Sequence, residues 1–177
     1  MLEFLAGKYL PGIKTPKIPG LFERMSASEK FVFIGAGAWL VFVLAINFIS
    51  CFTPPMGVDT QIYHLPLPKT YVQAGGFTGV PHLMESNYPQ NMEMLFEAAL
   101  LLGSDQAVQI FSYLVSILSL AIIFSLARRL HSPAAGIIGG FIYINLLDVS
   151  FQSPTALVDL CAAHFSVLSI YLIWRYM

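Results

Sequence analysis

Residues 31–52 read FVFIGAGAWLVFVLAINFISCF, 22 consecutive positions without a formal charge, bounded by Lys30 and by Pro54–Pro55. About 20 apolar residues rising 1.5 Å each cross a hydrocarbon core of roughly 30 Å, so this run predicts a transmembrane helix. A cleavable signal peptide places a shorter apolar region close to the start of the chain. Here residues 1–30 come first, and the run is expected to remain as an anchor.

Three further runs have the same character. Residues 106–127 are uncharged and end at Arg128–Arg129. Residues 133–151 open at Pro133, a favoured first helical position after Ser132. They carry Asp148, and Gly136, Gly139 and Gly140 lower their helical propensity. Residues 156–174 contain Asp159 and His164 and stop before Arg175. The expected fold class is an all-α integral membrane protein of about four transmembrane helices. Composition agrees: 56% of residues are hydrophobic and 11% charged, against about 45–50% and 25% in soluble domains. That excludes a soluble globular domain, a disordered tail and a nucleic-acid binder. A net charge of −1 offers no global electrostatic steering.

Basic residues set the expected orientation. With a cytoplasmic N-terminus, Lys8, Lys14, Lys17, Arg24, Lys30, Arg128, Arg129 and Arg175 all fall inside and only Lys69 outside. Asp59, Glu85, Glu93, Glu97, Asp105 and Asp148 fall outside. Residues 1–30 are basic and interrupted by Pro11, Pro16 and Pro19, which suits a segment lying on the headgroups or a docking arm. Cys51 and Cys161 lie at different depths, so no disulfide between them is expected, and no metal-type cysteine spacing occurs.

The outer loop, residues 53–105, carries two expected interfacial helices. One covers residues 57–74, with Val58, Ile62, Leu65 and Val72 on one side, broken near Pro66 and Pro68 and ended by Gly75–Gly76. The other covers 91–102, with Met94, Leu95, Ala98 and Leu102 on one face, ended by Gly103.

This loop and the spans behind it hold an ordered set of short motifs. Asp59, Tyr63, His64, Leu65, Pro68 and Lys69 form D-x-x-x-Y-H-L-x-x-P-K. Ser86, Pro89, Glu93, Met94, Leu95 and Phe96 form S-x-x-P-x-x-x-E-M-L-F. A-R-R-L follows at 127–130 and V-D-L at 158–160. The set resembles the N-terminal portion of GT-C-type membrane glycosyltransferases, more narrowly bacterial relatives of protein mannosyltransferases and aminoarabinose transferases, over residues 31–177. The resemblance implies a polyprenyl-phosphate-linked sugar as donor and Asp59 as catalytic base. It also implies a bacterial inner membrane, with loop 53–105 on the outer side. A carboxylate at the membrane surface can take the proton of an acceptor hydroxyl as it attacks the anomeric carbon. The family often has Asp-Glu at this point, where this chain has Asp59–Thr60. His64, His82 and Glu85 are the candidates for substrate or for a divalent metal, the cofactor an enzymatic role would call for.

Each of these residues has a plainer reading. Asp59 suits an N-cap and His64 interfacial packing between Tyr63 and Leu65. Asp159 is expensive inside a membrane and a functional candidate by default, or a cap near the outer end. His164, mid-span, can ligate haem or a pigment, though a hydrogen bond to a neighbouring helix is the commoner fate. Gly136 with Gly140, and Ser112 with Ser116, allow close helix approach.

Two functions remain from the sequence. The first, favoured, is a non-catalytic accessory subunit of a larger membrane complex, derived from such a transferase, with the bilayer and other membrane subunits as partners. That preference rests on the family continuing through many more spans and on Lys69 being the lone outer base. The alternative is part of a split glycosyltransferase with Asp59 as base.

Overall fold

The computed structural model describes residues 26–176. Contacts divide the chain into two units, Met1–Phe31 and Val32–Met177. The expected headgroup segment therefore lies outside the described residues except for 26–30. All tertiary packing given below falls within the second unit.

Among the described residues the structure is helical and has no strand. Helix α1, Ala27–Ser50, begins at a capping box. Ser26 N–H donates to Glu29 Oε2 at 2.7 Å, and Glu29 N–H donates to Ser26 Oγ at 3.3 Å. At its other end Gln109 Nε2 donates to the carbonyls of Cys51 at 2.6 Å and Thr53 at 3.0 Å. Carbonyls at a helix end have no partner within the helix, so this buried amide closes α1.

A π-helical turn, Thr60–His64, precedes α2, Pro66–Ala74. The break falls at Leu65, ahead of both prolines. Pro66 and Pro68 lie in the first turn of α2, where a missing N–H leaves no helical bond unmade. Gly75 ends α2 in the left-handed region, at φ 72°. A 3₁₀ turn, Met84–Asn87, leads to α3, Asn91–Leu101. Then come α4, Asp105–Leu130, and α5, Pro133–Asn145. The short α6, Leu147–Gln152, and α7, Asp159–Tyr176, complete the order.

Two of these helices, α1 and α4, are long and apolar enough to cross a membrane, among the described residues. The third expected span divides at Leu146, whose ψ of 128° is extended. Asn145 turns its side chain back, Nδ2 donating to the Phe141 carbonyl at 2.7 Å, and Leu146 N–H bonds to Tyr143 O. Such side-chain competition for backbone groups weakens a helix. The 13 residues of α5 reach only about 20 Å at 1.5 Å each. The fourth expected span starts at Asp159, three residues later than expected, and carries Asp159, His164 and Arg175.

Helix α4 packs most extensively on α5 and next on α7. The helices meet through close approach and through hydrogen bonds. A Cβ on Gly136 would lie 2.7 Å from the Phe124 ring, and one on Gly140 would lie 2.9 Å from Leu120 and 3.2 Å from Leu40. The glycine pair thus receives neighbours from this chain itself. Tyr113 OH donates to Leu44 O at 3.1 Å, and Trp39 Nε1 donates to Asn145 Oδ1 at 3.0 Å.

The segment 53–105 is held differently. Leu65, Met92, Phe96 and Ala99 form one buried cluster with Val108 and Val115 of α4 and with Ala156 and Cys161. Burying a Phe96-sized side chain away from water stabilises by about 1.5–3 kcal/mol. Helix α3 packs through Met92, Glu93, Phe96 and Ala99, while the expected apolar positions Leu95, Ala98 and Leu102 are exposed. It is apolar on two sides: Met92, Phe96 and Ala99 pack within the protein, and Leu95, Ala98 and Leu102 are left exposed while Met94 is half-buried. The same division holds in 57–74, where Val58 and Ile62 are exposed and Leu65, Leu67 and Tyr71 are buried.

Candidate functional site

The site is built on the π-helical turn. Gly57, at φ 107°, turns the chain where a Cβ would be strained and would lie 3.2 Å from Thr60 Oγ1. Beyond it Leu65 N–H reaches Thr60 O at 3.1 Å, the wide i to i+5 bond. Thr60 is buried, and its Oγ1 donates to the Ala156 carbonyl at 3.2 Å, tying the turn to the residues before α7.

The turn sorts its side chains. Asp59, immediately before it, is exposed and makes no side-chain cap bond, so the N-cap reading is not realised. His64 points inward. Its Nδ1 lies 2.7 Å from Glu93 Oε1 of α3, each side chain 5% exposed. In this bond a proton on Nδ1 is donated to the carboxylate. Tyr63 is half-buried beside it, the two ring centroids 4.0 Å apart.

Tyr63 marks where the separate sequence stretches meet. Burial is the main reason its phenol is held above the usual tyrosine value, and the charges of Asp59, Glu93, Asp159 and Glu85 add to it in that order. Tyr71 is fully buried and shifted the same way, first by burial and then by Glu93 and Glu97. Its hydroxyl has no hydrogen-bond partner among the described residues.

The other candidates are more dispersed. Lys69 Nζ bonds Asp105 at 2.7 and 2.8 Å, one contact to each carboxylate oxygen, so the expected outer base is paired at the start of α4. His82 is exposed in a turn, and Glu85 is half-buried with its backbone carbonyl accepting from Gln90 Nε2 at 2.8 Å. Among the described residues no three His, Cys, Asp or Glu side chains are grouped so as to hold a metal ion. Asp159 is exposed in the first turn of α7, where a negative charge suits the helix dipole. Gln152 caps that end, its Oε1 accepting from Leu160 N–H at 3.1 Å.

His164 is buried and bonded. Ser119 Oγ donates to Val115 O at 3.0 Å and so accepts from His164 Nδ1 at 2.8 Å. This matches the plainer reading of a helix-to-helix hydrogen bond. Ser112 and Ser116 lie on the same buried face of α4, and their hydroxyls have no partner among the described residues. An open apolar groove of ≈ 430 Å³ lies between α1 and α5, lined by Val32, Gly35, Ala36, Trp39, Ile138 and Phe141. It holds no titratable group.

Glu93 and Tyr63 both stand in the motifs, yet nothing in the one-dimensional pattern pairs Glu93 with His64. The only signal is a buried-type position, between Met92 and Met94, occupied by an acid. No family model matches the chain, and no curated protein or solved structure is significantly similar to it.

Proposed function

We propose that the chain is an integral membrane protein whose outer-face cluster belongs to the transfer of a sugar from a polyprenyl-phosphate donor, with Asp59 as general base. One observation carries this: the turn that follows Asp59 is tied by Thr60 Oγ1 to the Ala156 carbonyl, ahead of Asp159, and by His64 Nδ1 to Glu93, so stretches far apart in sequence meet at that turn. Asp59 and Asp159 are both exposed; Asp159 Oδ2 accepts from Gln152 Nε2 at 3.5 Å, whereas Asp59 makes no side-chain cap bond. In that role its carboxylate accepts the acceptor's hydroxyl proton. The acceptor oxygen bonds to the anomeric carbon, and the bond from that carbon to the phosphate oxygen breaks, releasing polyprenyl phosphate. Helices α1 and α4 cross the membrane, α5 with α6 and then α7 complete a four-segment path, and the N-terminus is cytoplasmic in a bacterial inner membrane. The test is transfer of labelled sugar in membranes carrying wild-type or Asp59→Asn chain.

A second reading, the accessory subunit, is favoured by a different observation. His64 with Glu93 and Lys69 with Asp105 satisfy one another. Large apolar faces of α1 and of the second half of α7, including Phe42, Ile46, Ile49, Ile170 and Ile173, are exposed. Such faces suit lipid or other membrane subunits. Fixed-stoichiometry co-migration with an unrelated complex after mild detergent extraction, together with unaltered function of Asp59→Asn, would favour it.

A further inference from the structure

The Nδ1 to Glu93 bond of His64 is the buried polar link between the π-helical turn and α3. We propose that His64 and Glu93 are a positioning pair, holding residues 59–65 in the register that presents Asp59 and Tyr63 on the outer face. The inference rests on the proposed transferase reading for its consequence, and on geometry alone for its structural content.

The geometry runs through the turn. A π-helical turn is wider than an α-helical one and occurs mostly as a single turn within a helix; here it follows the helical residues Val58 and Asp59 and precedes α2, and side-chain bonds add to what fixes its register. Two side-chain hydrogen bonds, from residues four apart and so near one face of the turn, contribute. Thr60 Oγ1 reaches Ala156 O, at 3.2 Å, and His64 Nδ1 reaches Glu93 Oε1, at 2.7 Å. Asp59 precedes the first of these anchors and Tyr63 precedes the second. Among the described residues, neither Asp59 nor Tyr63 has a side-chain hydrogen bond to another element, so each takes its direction from the anchored residue beside it. The imidazole adds a second constraint, since the Tyr63 ring packs on it at a 48° tilt and 4.0 Å between centroids. Fixing one ring nitrogen on a carboxylate sets the plane on which Tyr63 rests. Leu65, the next residue, is buried in the cluster that also holds Met92 and Phe96 of α3. The apolar contact therefore brings α3 close, and the hydrogen bond selects which way the turn faces.

The experiment uses the full chain in nanodiscs or native membranes. Amide hydrogen exchange across residues 59–65 is compared among wild type, Glu93→Ala, Glu93→Gln and His64→Asn. The glutamine keeps an acceptor oxygen, and the asparagine keeps a donor near the Nδ1 position. Loss of a buried charge-assisted bond should speed exchange in the turn by about 10-fold or more in Glu93→Ala, with α4 exchange unchanged and with Glu93→Gln and His64→Asn close to wild type. In the transfer assay Glu93→Ala should lower kcat about 100-fold through misplacement of Asp59, with KM nearly unchanged, and His64→Asn should restore much of the rate relative to His64→Ala. Unchanged exchange in Glu93→Ala would overturn the positioning pair whatever the activity. Faster exchange with wild-type kcat would also overturn it. If the wild-type chain transfers no sugar, the transferase reading falls, and the exchange result alone then decides whether the pair holds the turn.

Discussion

Asp59 and Glu93 are both acids of the 53–105 segment, and their surroundings are opposite. Asp59 is exposed and free of a cap bond, whereas Glu93 is buried against His64. Asp59→Asn should therefore change thermal stability by less than about 0.5 kcal/mol, as surface substitutions usually do. Its transfer rate should fall by about 10²–10⁴, the usual contribution of a general base. A detergent melt beside a transfer assay separates the two effects. Tyr71 makes a pH prediction. Its phenol is held above the ordinary value of 10, chiefly by burial, so the folded state favours the neutral form. That stability is complete below pH 10, the unfolded chain's value, and is lost as pH rises through the higher folded value. Tyr71→Phe should raise the alkaline unfolding midpoint, read by circular dichroism. A midpoint unchanged or lowered would show that burial of this hydroxyl does not limit alkaline stability.

At the scale of elements, glycines in two helices predict opposite outcomes. A Cβ added at Gly136 would sit 2.7 Å from the Phe124 ring and 3.1 Å from its backbone carbonyl, whereas nothing lies within 4 Å of one added at Gly35. Gly136→Ala should lose about 1–3 kcal/mol through overpacking. Gly35→Ala should gain up to about 1 kcal/mol, the helix-interior penalty of glycine. Thermal melts in one detergent measure both. Helix existence is legible in the sequence because uncharged runs and terminal signals such as Ser26–Glu29 and Ser132–Pro133 act locally. The division at Leu146 is not legible, since it follows from Asn145 bonding back to Phe141 and outward to Trp39, a residue 106 positions away. The packing face of α3 escapes the sequence for a related reason. With Leu95 and Phe96 both apolar, only the neighbouring helices determine which of them is buried.

Across the whole chain, the proposed membrane setting accounts for the exposed apolar surface. In water, the exposed Phe42, Ile46 and Ile49 of α1 would be an aggregation surface; against lipid they need no partner. The candidate residues Asp59 and His64 are legible as a motif, while the His64–Glu93 bond needs the fold, because 29 positions separate the pair. The topology predicts that a cysteine placed at Asn87 is labelled by an impermeant maleimide from outside intact cells and one at His131 is not. Equal labelling of both would refute the four-segment path. Sugar transfer itself tests the central claim most directly. Membranes carrying wild-type or Asp59→Asn chain at equal abundance are given a polyprenyl-phosphate-linked sugar and the transferred label is counted. Transfer with the wild type, falling at least about 100-fold in the variant, is the predicted result. Equal transfer by the two chains, or none by either, would contradict it.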